Sequence, residues 1–220
     1  MLRCRTGLLI AGLWPCALLA QHEVEGVWIL EVIEREAPAP LTVRGTAIQQ
    51  AYDLLNDDPS LRCEAASLAR VYGNPNTRTG IRLVDGMLLV EHELFDIKRH
   101  VAPVGAAARL EYPAFGTQVF EVEGERIRVR STDHSAGYIR TGTGYPQGEG
   151  GSVTETFWRE GADLMVELVY TDPVLFDGEY RILHRLQSTG ETSVPVYDCT
   201  DADYDWFEQL NAEATGESTP

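Results

Sequence analysis

The chain has 220 residues, 34 acidic against 18 basic, and a formal net charge of −16. Such an acidic balance is a poor electrostatic match for nucleic acid or an anionic membrane surface. Hydrophobic residues make up 44% of the chain, enough for a real core in one domain, and no stretch after the leader is long and apolar enough to cross a bilayer as a helix.

Residues 1–20 read as a secretory leader. Arg3 and Arg5 give a positive start, a short apolar run follows from Gly7 to Leu19, and Leu18-Leu19-Ala20 precedes Gln21 as a cleavage site. Gln21, not cysteine, follows the cut, so the pattern does not suit a lipoprotein. The expected location is periplasmic or secreted. The expected domain is a single barrel over residues 21–211, with 212–220 as a disordered tail. Cys4 and Cys16 leave with the leader, and Cys63 and Cys199 remain. In an oxidising compartment a remaining pair is expected to form a disulfide. The acidic neighbours Glu64, Asp198 and Asp201 disfavour a reactive thiolate at either position.

From Val24 the chain reads as short strands and turns. Val24–Ile33 is the first strand. Residues 47–56 place Ile48, Tyr52 and Leu55 on one helical face, and Pro59 ends that helix. Hairpins follow: Ile81–Val84 with Met87–Phe95 around Asp85-Gly86, then Ile97–Val101, then Gln118–Val122 with Arg126–Thr132. Val153–Arg159 with Leu164–Tyr170, Glu179–Leu186 and Val194–Cys199 complete the set. This spacing predicts a mainly β fold, an antiparallel up-and-down barrel of about 8–10 strands. Thr141–Gly151 holds five glycines and reads as a mobile connection, a lid or an ordinary loop. Tyr204, Phe207 and Leu210 follow a capping pattern at Thr200 and Asp203 and predict a C-terminal helix.

Gly26-Val27-Trp28 resembles the Gly-x-Trp opening of lipocalins, in which the tryptophan closes one end of the barrel. The wider pattern resembles a family of uncharacterised secreted bacterial proteins with a lipocalin-like, calycin-type barrel. The matching residues run from Asp58-Pro59 to Arg62-Cys63, through Gly73-Asn74-Pro75 and Glu93-Leu94-Phe95-Asp96 to Arg99. They continue at Phe115-Gly116-Thr117, Glu121 to Ile127, Thr154-Glu155, Leu164 and Thr171-Asp172-Pro173. Val101–Arg109 replaces a Leu-Asp-Gly and His-Pro pair that relatives often carry, and Val122 stands where they often have tryptophan. The resemblance implies a secreted β-rich domain and no particular reaction.

Strand alternation sorts the polar candidates. His92 shares a face with Leu88, Val90 and Leu94, and reads as a general base, a ligand contact or a satisfied core histidine. Glu155 shares a face with Val153 and Phe157, and reads as an acid or base, or as half of a buried carboxylate–arginine pair. Arg126, Arg128 and Arg130 share a face and read as an exposed ladder or an interior anion site. Arg99, Tyr112 and Tyr170 are the candidate ligand contacts. His22, His92, His100, His134 and His184 are scattered without zinc-site spacing, so no metal and no cofactor is expected. Asp133-His134-Ser135 has triad residue types, but adjacent residues rarely converge. The function read from these residues is binding of a small, largely apolar molecule, aromatic or hydroxylated, in the barrel. The alternatives are a cofactor-free lyase, isomerase or decarboxylase using Glu155 or His92, and a structural envelope protein with a filled barrel. Oligomeric state is not readable.

Overall fold

The computed structural model describes residues 23–200. The leader, the C-terminal helix and the tail expected from sequence lie outside these residues. Among those described, nine strands close into a barrel in the order β1-β11-β10-β9-β6-β5-β4-β3-β2. They are β1 (Gly26–Ala37), β2 (Arg78–Val84), β3 (Met87–His92), β4 (Ile97–Pro103), β5 (Thr117–Glu123), β6 (Arg126–Thr132), β9 (Ser152–Glu160), β10 (Asp163–Thr171) and β11 (Glu179–Ser188). The remaining two, β7 (Gly137–Arg140) and β8 (Tyr145–Gln147), form a separate small sheet. The result is a mainly β, closed barrel.

An odd number of strands cannot alternate direction all the way round a closed ring. One neighbouring pair must run parallel, and here it is β4 with β5, through Ala102 opposite Val119 and Pro103 opposite Phe120. The connection from Val104 to Gly116 must therefore travel back along the barrel before β5 begins. The other ring neighbours are antiparallel.

Strand direction gives the barrel two unlike ends. One end carries tight hairpins at Asp85-Gly86, Glu123–Arg126 and Glu160–Asp163. Asp85 and Gly86 have φ of 51° and 77°, the left-handed pair that a two-residue turn between twisted strands requires. Trp28 is buried towards this end, where its Nε1 donates to the Val24 carbonyl at 3.1 Å and the Arg159 guanidinium lies 4.6 Å from its ring centroid.

The other end is capped by the segment between β1 and β2. It holds α1 (Val43–Ala51), α2 (Leu54–Asp57), a 3-10 turn (Pro59–Arg62) and α3 (Leu68–Tyr72). The helix expected over 47–56 is thus two pieces. Thr42 caps the first by accepting from Gly45 N, Tyr52 leaves helical geometry, and Asp53 caps the second by accepting from Leu55 N. The glycine-rich stretch after Arg140 is not simply a loose loop. Tyr145-Pro146-Gln147 is buried, and the Tyr145 hydroxyl donates to the Ala39 carbonyl at 2.6 Å while its ring meets Tyr180 at 4.7 Å.

The barrel core follows the period-two rule. Ile81, Leu88, Val90, Ile127, Val129, Phe157, Val166, Leu168 and Ile182 are fully buried, each contributing about 1.5–3 kcal/mol. The segment expected as a strand over Val194–Cys199 is instead an extended strap on the outside. The ring is already closed through β11, β1 and β2, so no edge remains for it to join. Tyr197 N donates to Asp96 Oδ1 at 2.9 Å, and Cys199 bonds to Cys63 with 5.9 Å between their Cα atoms.

Candidate functional site

The polar residues inside the barrel come from opposite walls and from the cap. On β4, alternation turns Arg99 inward between Ile97 and Val101; on β9 it turns Glu155 inward between Val153 and Phe157. Arg99 donates through Nη1 to Glu155 Oε2 at 2.7 Å and through Nη2 to Oε1 at 2.9 Å. This paired geometry is the strong form of the interaction. Tyr72, at the end of α3, reaches up from the cap. Its hydroxyl donates to Glu155 Oε1 at 2.8 Å and accepts from Arg99 Nη2 at 3.0 Å. Gln118 extends the network, accepting from Arg99 Nη1 at 3.4 Å and donating to Ser131 Oγ at 2.9 Å. Arg99 also lies between two rings, 6.0 Å from the Tyr72 centroid and 5.7 Å from that of Phe115.

The electrostatics follow from burial. Burial works against the charge on Arg99, but Glu155 outweighs it and raises the arginine above its ordinary range. Burial, then Glu155, pushes the Tyr72 phenol well above its usual value. His92 is edge-on to Tyr72 with centroids 4.7 Å apart, and its Nδ1 lies 3.3 Å from Thr79 Oγ1. Burial, then the charge of Arg99, holds it well below the usual histidine range, so it is neutral. His184, on the far side of Tyr72 at 5.9 Å, is held down to about 4 by burial and then by Arg140. Beyond it, Arg140 Nε donates to Glu36 Oε1 at 2.7 Å, and the Tyr180 hydroxyl donates to the same oxygen.

The structure therefore brings Arg99 and Glu155 into direct contact and joins His92 to them through the Tyr72 ring. Tyr170 is held apart, its hydroxyl accepting from Ala69 N at 2.8 Å and so fastening α3 to the barrel. Tyr112 lies outside the lumen, where its hydroxyl accepts from Lys98 N at 3.0 Å. Arg126, Arg128 and Arg130 lie on the outer wall, opposite the buried Ile127 and Val129; Arg128 pairs with Glu123 at 2.7 Å and Arg126 stacks on Trp158 at 4.6 Å. Among the described residues no group of three or more His, Cys, Asp or Glu side chains is placed to hold a metal ion.

Tyr72, the residue that completes the network, was not visible as a candidate in the sequence. It sits in a helix of five residues, too short to show a periodic face.

Open space lies at the capped end. A cleft of about 640 Å³ runs between the 3-10 turn before Cys63 and the segment around Pro113. Phe95, Ile97, Tyr112, Tyr138 and Ala66 give it an apolar and aromatic wall, with Arg62 and Glu64 among its charged members. Tyr112 touches Phe115 with centroids 5.5 Å apart, and Phe115 in turn covers Arg99. Tyr112 and Phe115 thus stand in turn between the cleft and Arg99.

No family model and no curated protein sequence matches the chain. Among solved structures it is similar to a crystal structure of a mutant of the fluorescent protein UnaG, with 11% sequence identity and a TM-score of 0.38, covering 76% of this chain and 96% of that one.

Proposed function

We propose that this protein is exported and binds a small, largely apolar molecule, aromatic or hydroxylated, in the cleft at the capped end of its barrel. One observation carries the reading: the lumen is filled by Arg99, Glu155 and Tyr72, while an aromatic-walled cleft of about 640 Å³ stands open beside them. That volume falls in the range of ordinary small-molecule sites, and such sites combine apolar walls with few polar groups. Export is supported by the leader-like residues 1–20 and by the Cys63–Cys199 bridge, which suits an oxidising compartment. Proton transfer by Glu155 or His92 fits less well. Both are buried, and both oxygens of Glu155 are already engaged. The packed lumen also favours a second reading, a structural barrel whose cleft has no ligand.

Native mass spectrometry separates the two. The protein is exported to a bacterial periplasm, purified without reductant and compared with Ala65→Trp, which fills the cleft. A reproducible extra mass that leaves on denaturation and is missing from the variant supports the binding reading. A bare protein, or an adduct equally present in the variant, overturns it in favour of the structural one.

A further inference from the structure

A second cleft, of about 590 Å³, lies on the same end of the barrel and shares Ala136, Gly137 and Tyr138 with the first. Its floor at Gln147, Gly148 and Asp172 is also the wall of a small chamber of about 10 Å³, closed on the far side by His134 and Gly151. That is the size of one water molecule or one ammonium head.

Two deeply buried polar groups face this chamber. Asp172 and His134 are each only 3% exposed. Asp172 Oδ1 is occupied, accepting from Val174 N at 3.0 Å and Leu175 N at 3.3 Å. Its Oδ2 has no hydrogen-bond partner among the described residues, while the His134 ring lies within reach of the backbone at Gly148. Buried polar atoms of folded proteins are nearly always paired, so an unpaired carboxylate oxygen at this chamber points to a ligand or solvent group that completes it.

The backbone preserves the space. A Cβ on Gly148 would lie 2.3 Å from Asp172 Oδ2, and one on Gly151 would lie 3.2 Å from His134 Cε1 and 3.3 Å from Asp172 Cβ. A side chain at Gly148 would collide with the carboxylate, and one at Gly151 would crowd both groups. Glycine at these positions lets the chain approach without filling the chamber.

The chemistry of the groups selects the occupant. A carboxylate oxygen accepts and carries negative charge, and a neutral imidazole offers one more acceptor. Burial favours that neutral form of His134, opposed by Asp172. An anion would be repelled, and a hydroxyl brings one proton and no charge. An ammonium brings several donors and cancels the charge of the carboxylate. The cleft in front of the chamber supplies an apolar bed at Ile48, Val174 and Leu175. Arg44 and Glu149 both stand on its lining, so the preference is set by the buried carboxylate and not by the rim.

We propose that the second cleft binds a small organic cation, a primary or secondary amine in its protonated form, with the ammonium between His134 and Asp172 and the apolar body along Ile48, Val174 and Leu175. The proposal does not depend on a ligand in the first cleft, because none of the chamber's lining residues belongs to that cleft.

Isothermal titration calorimetry of the whole, disulfide-bonded protein tests this with 2-phenylethylammonium as the probe and 3-phenylpropanoate as its anionic counterpart. The expected result is saturable one-to-one binding of the cation and none of the anion. Asp172→Asn keeps the Oδ1 cap and removes the charge; it should weaken the cation about tenfold or more. No heat with the cation at millimolar concentration, equal binding of the anion, or undiminished affinity in a folded Asp172→Asn overturns the proposal. Should Asp172→Asn fail to fold, Gly151→Ala carries the test by placing a methyl in the chamber wall. Loss of binding then supports the site, and unchanged binding overturns it.

Discussion

Arg99 and Glu155 face each other across the closed barrel, from β4 and β9, with paired hydrogen bonds of 2.7 and 2.9 Å and almost no exposure on either side chain. Neither strand touches the other in the sheet; β5 and β6 lie between them. The pair therefore fixes the lumen across its width.

Two charges so placed have lost their water, and only the completeness of their pairing offsets that loss. Removing one partner leaves the other charged and unmatched. Glu155→Gln and Arg99→Met should each destabilise by about 3–5 kcal/mol, measured by denaturant unfolding at neutral pH. The double variant Arg99→Met with Glu155→Leu should be more stable than either single one, because the unmatched charge is gone. Single-variant losses below about 1 kcal/mol would show that water reaches the pair.

Much of this arrangement was legible from alternation alone. Leu88, Val90 and His92 share an inward face as their spacing predicts, as do Val153, Glu155 and Phe157. Alternation does not say which inward residues meet, because that depends on ring order and register. The parallel β4–β5 pair was hidden for a similar reason: Val104–Gly116 carries turn residues but no mark of its direction. Val194–Cys199 has the Val194 and Val196 spacing of a strand, yet Val196 is 78% exposed. Its place is decided by the barrel having already closed, a fact of the whole chain. Tyr72 reaches Glu155 only because the cap brings it there, and Arg140 comes from β7 to a Glu36–Tyr180 contact that the pairing of β1 with β11 makes.

The strap that ends at Cys199 rests on few contacts of its own. Val194 packs over Gly80, Tyr197 meets Phe95 at 5.7 Å, and the disulfide secures the end. The bridge spans 136 residues of sequence, and in the chain-entropy model it stabilises by at most about 5 kcal/mol. Replacing both cysteines with serine should cost at least about 2 kcal/mol and lower Tm by several degrees. It should also open the segment after Ser188 to limited proteolysis, because the strap has no sheet partner among the described residues. Unchanged cleavage with a loss below about 1 kcal/mol would mean that the side-chain contacts alone hold the strap.

Acid should weaken the fold through its buried histidines before the carboxylates take part. Unfolded, His184 takes up a proton near pH 6.5; folded, burial and the neighbouring Arg140 hold it down to about 4. Between those values the unfolded chain binds more protons, so stability falls as pH drops from about 6.5 to about 4 and then levels off for this group. A shift of that size corresponds to about 3 kcal/mol. His92 and His134 are shifted in the same direction and deepen the loss. Burial alone would raise Glu36, but hydrogen bonds from Arg140 and Tyr180 outweigh it, so Glu36 adds its own loss only below its ordinary value of 4.5. Denaturant midpoints across this range should therefore decline steadily with acid in the native sequence. They should decline less steeply in His184→Gln, which cannot titrate there. Equal slopes in the two proteins would place the acid sensitivity in other groups, with His184 already solvated in the folded state.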